Sequence, residues 1–351
     1  MTKKNLLLIN KHQLGSLTDS YKWCYYLKDE YNITLLCFDT GLPKIEIKGV
    51  KVKYIKYNGS LKIRGIRYLL SALWYILFFK GKIMVVYFEH CDILKRIFPF
   101  KKILLDIRTL SISPNRNQRK KTDNAIISAC KIFDKVSVIS EGVKQKIGEV
   151  GRDVCILPLG ADCFSNNKKN YSNLSLIYVG TFNGREIDKT IQGLSLFRKK
   201  YPEINISYDI IGSGDNNELE SLKEITNKLN LNDTVTFHGR IANNLLDPYF
   251  DKANIGVSYI PITEYYNAQP PTKTFEYVLS GLYTIATATD ANKEIISAEN
   301  GILIKDTPED FAKALEYIYT HKESFRENKI RESLENYNWQ NIVNKYLKPI
   351  L

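Results

Sequence analysis

Residues 176–200 read LIYVGTFNGREIDKTIQGLSLFRKK. Leu176–Val179 is a short apolar run of the kind that fills a strand buried on both faces, and Gly180-Thr181-Phe182-Asn183-Gly184-Arg185 then turns the chain. From Asp188 to Lys200, Ile191, Leu194 and Phe197 recur at helical spacing, so this stretch predicts strand, glycine turn and amphipathic helix in succession. The unit repeats along the chain. Leu6–Ile9, Ile33–Phe38, Ile83–Phe88, Ile103–Ile107 and Val136–Ile139 read as strands in the first half. Ile206–Ile211, Thr234–Phe237, Ile255–Tyr259 and Tyr283–Ala286 continue the series in the second, and Glu218–Leu229 puts Leu219, Leu222, Ile225 and Leu229 on one helical face. Strands alternating with helices predict parallel sheets covered on both faces. Ser165–Ser175 (SNNKKNYSNLS) carries a single leucine and reads as a connector between two such domains.

The 351 residues, 44% hydrophobic and 25% charged, supply enough apolar material for two cores and exclude a disordered or collagen-like chain. The longest uncharged apolar run, Tyr68–Phe79, would reach only about 18 Å as a helix against roughly 30 Å of hydrocarbon. It is apolar all round and reads as a core helix of the first domain. Leu6–Ile9 is too short for a secretory segment, so a cytoplasmic protein is expected. The six cysteines include no Cys-x-x-Cys pair and read as reduced core residues. With no Asp-x-Asp and four scattered histidines, no dedicated metal site is expected.

The net charge of +12 is lopsided: residues 1–165 carry 29 Lys and Arg against 14 Asp and Glu, and the rest carry 21 against 24. All of the basic excess lies in the first half, which points to an anionic partner there. Lys62, Arg64 and Arg67 precede the apolar run, and Lys80 and Lys82 follow it. Lys95-Arg96 and Lys101-Lys102 bracket Ile97-Phe98-Pro99-Phe100, and Arg116, Arg119, Lys120 and Lys121 follow. Cations flanking short apolar wedges suit an anionic membrane surface. No recognisable nucleic-acid module accompanies them, so nucleic acid is not an expected partner.

Three segments could carry chemistry. In the 180–185 turn, two glycines, a helix start and the Arg185 fork make a seat for a diphosphate, although an ordinary turn with a surface arginine would read the same way. Ile210-Ile211-Gly212-Ser213-Gly214 also follows a strand but lacks the third glycine of a dinucleotide fingerprint. In Gln269-Pro270-Pro271-Thr272-Lys273-Thr274-Phe275-Glu276-Tyr277, the prolines seed a helix with Lys273 in its first turn and Glu276 one turn on. A carboxylate there could accept from the two hydroxyls of a ribose, or the two residues could form a solvated surface pair.

The order Tyr178-Val179-Gly180, Ile210–Gly214, Val235-Thr236-Phe237-His238-Gly239-Arg240 and Pro271–Tyr277 through Gly281, then Asn300–Ile304, resembles the donor domain of the family 4 retaining glycosyltransferases of the GT-B fold. Phe133–Lys144 followed by Ile156–Asp162 is similar to the end of that family's acceptor domain, so the resemblance covers nearly the whole chain. It implies an α/β GT-B protein of two doubly wound, Rossmann-like domains with an interdomain cleft. Residues 1–165 would bind acceptor, 166–335 would bind the nucleotide sugar, and 336–351 would form a C-terminal helix packing back on the first domain.

Carried over by position, the resemblance makes Glu276 the ribose-binding carboxylate and gives Gly239, Arg240 and Ile241 to the nucleobase pocket. Gly180, Thr181, Gly184, Gly212, Gly214 and Thr274 join the donor-binding set, with Gly15 as the glycine loop after the first strand. Thr181 stands where the family's arginine is expected, and Arg185 one residue before its usual lysine, so Arg185 and Lys273 become the diphosphate and catalytic cations. Ala268 replaces the first glutamate of the family's paired-glutamate motif, leaving Glu264 or Gln269 to touch the donor sugar. Where the family often has a histidine at a strand end near that sugar, this chain offers Asp106 and Arg108, which join Arg185 and Lys273 as catalytic candidates, and His90 after the preceding strand as a possible donor-sugar contact.

The implied activity is transfer of a hexosyl group, without metal or other cofactor, from a nucleoside-diphosphate sugar to a saccharide or lipid-linked acceptor. Surface-polysaccharide synthesis on the inner face of the cell membrane would be its setting. An epimerase or hydrolase acting on nucleotide sugars, or a catalytically silent partner subunit, are the alternatives on the same fold.

Overall fold

The computed structural model describes residues 2–351 and divides them into two compact units, one of residues up to Leu159 together with Trp339–Leu351, the other Gly160–Asn338. In the first unit, β1 (Lys4–Ile9), β2 (Tyr31–Asp39), β3 (Val50–Lys56), β4 (Lys82–Val86), β5 (Ile103–Ile107), β6 (Lys135–Val138) and β7 (Asp153–Ile156) form one parallel sheet in the order β3-β2-β1-β4-β5-β6-β7. In the second, β8 (Leu174–Thr181), β9 (Ile206–Ser213), β10 (Val235–Gly239), β11 (Ile255–Ser258), β12 (Tyr283–Thr287) and β13 (Gly301–Ile304) follow the same plan, β10-β9-β8-β11-β12-β13. Each is a doubly wound sheet in which the strand order reverses beside its first strand.

All ten strands expected from apolar runs are present. Of the four strands at sheet edges, only β10 was among them; β3, β7 and β13 are additional. A parallel strand buried on both faces reads as a continuous apolar run, whereas β3, Val-Lys-Val-Lys-Tyr-Ile-Lys, alternates with lysine at the sheet's margin, where charge guards an open edge.

Helix 187–200 buries Ile191, Leu194 and Phe197 as its spacing predicts. Helix 61–78 departs from expectation. Ser60 caps it by accepting from the Ile63 N–H, and only Tyr68, Ala72 and Ile76 are buried, so it is a surface helix and not a core one. No helix among the described residues is long and apolar enough to cross a membrane. Cys24, Cys37, Cys91 and Cys130 are buried, Cys155 is half-buried and Cys163, against expectation, is exposed; none is bonded to another.

Residues 339–351 belong to the first unit, where Trp339, Ile342, Val343 and Leu347 are buried and Lys348 pairs with Glu30. The segment expected to be a connector, Ser165–Ser175, is instead a strap built into the second unit. Tyr171 is buried in it, and the buried Lys169 amine donates to Ser165 Oγ at 2.9 Å and to the Phe250 carbonyl at 2.5 Å. Asn254 donates to the carbonyls of Asn170 and Asn173, and burial lowers the Lys169 pKa to about 8. Polar composition here marks internal hydrogen bonding, which composition alone does not separate from solvent exposure.

Candidate active site

In the second unit the strand order reverses between β8 and β11, and the two strands pair only through Leu176 and Ile177. Beyond that point the sheet opens. The N–H of Val179 is bonded at 2.8 Å to the hydroxyl of Tyr277, on helix 272–279. The turn after β8, the turn after β9 and the start of helix 272–279 converge there, at the carboxyl ends of the strands, where doubly wound sheets take their ligands.

Backbone packing fixes the turns. A Cβ on Gly212 would lie 1.7 Å from the carbonyl oxygen of Gly180, so the second turn closes on the first only with glycine at that position. Gly184 has φ 63°, in the left-handed region, and lets the chain enter helix 187–200. Asn183 ties the two turns by accepting the Asp215 N–H at 3.0 Å. Glu218 accepts a hydrogen bond from the backbone of Gly184, and burial with Asp215 nearby raises its pKa. The turn's N–H already attracts an anionic oxygen.

Two cations face this opening. The Arg185 guanidinium lies 4.4 Å from the centre of the Tyr266 ring, and its Nη1 is buried with no hydrogen-bond partner. The Lys273 ammonium lies 4.0 Å from the centre of the Tyr178 ring and 3.7 Å from where a Cβ on Gly180 would stand. Each tyrosine gives its cation an electron-rich face without cancelling its charge. Burial pulls the Lys273 pKa well below its usual value, the Arg185 charge pulls the same way, and Glu276 opposes both. Two positive charges held together, one with an unbonded N–H, make a seat for a polyanion.

Beside them, Gly239 has φ 68°, Arg240 is exposed, and Ile241 packs against the apolar cluster that holds Tyr277, Phe250 and Leu246. The half-buried Glu276 lies one turn beyond Lys273 on helix 272–279. The expected set thus divides. Gly180, Gly184, Gly212, Gly214, Arg185 and Lys273 lie together, and Thr181 is exposed at the end of β8 with its carbonyl accepting from Tyr178 at 2.6 Å. Thr274 is different: its hydroxyl is buried between Ser258 Oγ at 2.7 Å and Asn292 Oδ1 at 3.1 Å, so the side chain secures the helix start from within. Glu264 is exposed, Gln269 donates to the Tyr265 carbonyl at 2.8 Å, and Ala268 is buried.

In the first unit, Gly15 has φ 91° in the loop after β1. His90 is exposed, with Glu89 3.8 Å away. Asp106 and Arg108 are not presented as reacting groups. Asp106 is fully buried and accepts from Ser137 Oγ at 2.6 Å, and Arg108 is bonded to Asp19 at 2.6 Å and to the Leu157 carbonyl at 2.8 Å. Burial raises the Asp106 pKa to about 6 against the pull of Arg108 and Ser137. Asp106 Oδ2 and Arg108 Nε lie 3.8 Å apart, each without a hydrogen-bond partner, so the two are held as an ion pair.

Tyr178 and Tyr266 were not foreseen as site residues: one read as strand filling and the other as loop, and nothing in a sequence pairs a ring with a cation on another element. Tyr178 and Tyr277 both lie within motifs quoted above, but the bond of Tyr277 to Val179 follows from the opening of the sheet.

Residues 173–321 match the family described as glycosyl transferases group 1. The fold is that of sucrose-phosphate synthase from Thermosynechococcus elongatus, with a TM-score of 0.79 at 16% identity over 99% of this chain and 98% of that one. Anabaena HepE, solved in complex with UDP and glucose, superposes with a TM-score of 0.74 at 10% identity over 99% of each chain. A GDP-Man:Man(3)GlcNAc(2)-PP-Dol alpha-1,2-mannosyltransferase from Dictyostelium discoideum is 23% identical over 176 residues, which are 46% of this chain and 34% of that protein. The chain therefore spans about a third of that curated relative's length. The match to the group 1 glycosyl transferases covers residues 173–321, less than half of the chain, and the chain as a whole shares the GT-B fold of these solved structures.

Proposed function

We propose that the protein transfers a sugar from a nucleoside-diphosphate sugar to a hydroxyl of a lipid-linked saccharide, with retention at the anomeric carbon, in the assembly of a surface polysaccharide. The observation that carries the donor half is the pair Arg185 and Lys273 at the opened switch point, with Arg185 Nη1 unbonded. As the glycosidic bond breaks, negative charge grows on the leaving diphosphate. Two cations held in place by tyrosine rings and packed turns stabilise that charge without reorganising. The sequence resemblance supports retention, and turnover without added divalent cation is expected. HepE was solved with UDP and glucose, which favours a nucleotide-sugar donor, and the Dictyostelium relative's name specifies a dolichol-linked acceptor, which favours a lipid-linked one.

Glu276→Ala tests the donor site. Removing two charge-assisted hydrogen bonds to the ribose should weaken nucleotide-sugar binding by on the order of 2–4 kcal/mol. Thermal shift with a panel of uridine and guanosine diphosphate sugars gives the wild-type ligand, and calorimetry with that ligand measures the variant. Wild-type affinity in a folded Glu276→Ala protein would remove the ribose assignment.

A further inference from the structure

The face of helix 61–78 opposite its buried residues is apolar and open to solvent. Ile63, Ile66, Leu70, Trp74, Leu77 and Phe78 lie along it, between 50% and 64% exposed. At 100° per residue they fall within an arc of roughly 120° centred opposite Tyr68, Ala72 and Ile76, so the helix is amphipathic twice over, with a core stripe and an outward stripe. Six large side chains in one exposed row exceed the scattered apolar residues of an ordinary surface.

A second apolar point stands at the C-terminal end of this helix. Phe100 is 91% exposed and Ile97 50%. The loop that carries Phe100 is held open. The buried Lys95 ammonium donates to the carbonyls of Pro99 and Lys101 at 2.8 and 2.9 Å and pairs with Asp134 at 2.8 Å. Lys101 in turn donates to the Phe79 carbonyl at 2.8 Å, fastening the loop to the end of the helix. Phe100 is displayed by a clamp that keeps it from folding onto the core.

The charges around these points have one dominant sign. No Asp or Glu lies between Glu46 and Glu89, or between Asp92 and Asp106. Lys62 and Lys80 are exposed at the two ends of the helix, and Lys102 lies beyond Phe100. A second copy of this chain laid on the same face would bring lysine against lysine, whereas an anionic bilayer offers charge of opposite sign over an oily interior.

We infer that the outer face of helix 61–78, with Phe100 beside it, is the surface by which the protein docks in the interface of an anionic lipid bilayer. Trp74 and Phe78 would lie at headgroup depth and the lysines would meet the phosphates. This deepens the lipid-linked reading above by naming the residues that bring the enzyme to its acceptor.

The chain contains three tryptophans, of which Trp23 and Trp339 are buried and Trp74 is 64% exposed, so solvent-sensitive emission reports on Trp74. Phosphatidylglycerol vesicles should shift that emission to the blue and shield it from iodide, phosphatidylcholine vesicles should not, and high salt should reduce the effect. Leu70→Ser combined with Phe100→Ser should lower pelleting with anionic vesicles about tenfold or more while circular dichroism stays unchanged. Trp74→Phe should abolish the emission change yet still pellet. Equal binding to neutral vesicles, no binding to anionic ones, or a dimer that shields Trp74 without vesicle binding would overturn the inference. No nucleotide is present in these assays, so vesicle docking without any nucleotide affinity would leave this surface standing and remove the transfer reading instead.

Discussion

The two units repeat one strand plan, yet they treat charge at their strand ends in opposite ways. At the end of β5 the charges are paired by opposite sign: Arg108 bonds to Asp19 at 2.6 Å and lies 3.8 Å from Asp106, which accepts from Ser137, while Asp106 Oδ2 and Arg108 Nε make no hydrogen bond. At the β8–β11 opening, Arg185 and Lys273 sit beside each other over tyrosine rings, and Arg185 keeps an N–H with no partner. Like charges held together destabilise a fold slightly unless something of opposite sign arrives, and a protein retains such an arrangement where a ligand supplies that sign. The same topology thus places paired opposite charges at a strand end in one unit and two neighbouring cations in the other, and the distinction rests on the sign of the neighbours.

The comparison breaks most visibly at Arg108. Removing one partner of a buried ion pair leaves the other charge unpaired, so Arg108→Ala should cost on the order of 3–5 kcal/mol of stability in urea unfolding while nucleotide affinity in the remaining folded protein is unchanged. A stable Arg108→Ala protein that has lost turnover would make Arg108 a reacting group after all.

Asp106 sharpens the comparison through pH. Its pKa is raised to about 6 in the fold from 3.8. The native state therefore binds the extra proton between those values, and the group's contribution to stability, full below pH 3.8, is lost as pH rises through 6. At about 1.36 kcal/mol per unit this amounts to on the order of 3 kcal/mol. Asp106→Asn should be free of that dependence, so its stability relative to wild type should improve between pH 4 and 7. Parallel stability profiles for the two proteins would show that Asp106 does not titrate in this window.

How far the sequence revealed these features depends on burial. Interior strands such as β5 and β8 announce themselves because both faces are covered, and the edge strands β3, β7 and β13 do not, because the margin of a sheet tolerates lysine and mixed side chains. Arg185 and Lys273 stand out by their places in a glycine turn and a proline-started helix, and the structure makes them neighbours. The burial of Asp106 and its pairing with Arg108 were not legible for a related reason: a charged pair at a strand end has the same spelling whether it faces a ligand or an interior ion pair. Helix 61–78 reads as apolar all round, and only the structure shows that half of that surface is left uncovered. Lys169 illustrates the converse, a polar stretch drawn inside by carbonyls that need donors.

The central claim, that Arg185 and Lys273 form the diphosphate seat, is tested most directly by calorimetry of nucleoside diphosphate binding, with UDP and GDP as probes. Lys273 has a depressed pKa in the free protein, and a bound diphosphate would raise it, so binding should take up protons. The measurement belongs above about pH 7.5, where a terminal phosphate with pKa near 6 is already ionised. There the affinity should fall as pH rises, and the binding heat should depend on the buffer with the sign of proton uptake. Arg185→Ala combined with Lys273→Met should weaken binding about a hundredfold and abolish the proton uptake. Binding of undiminished affinity to the double variant would contradict the account.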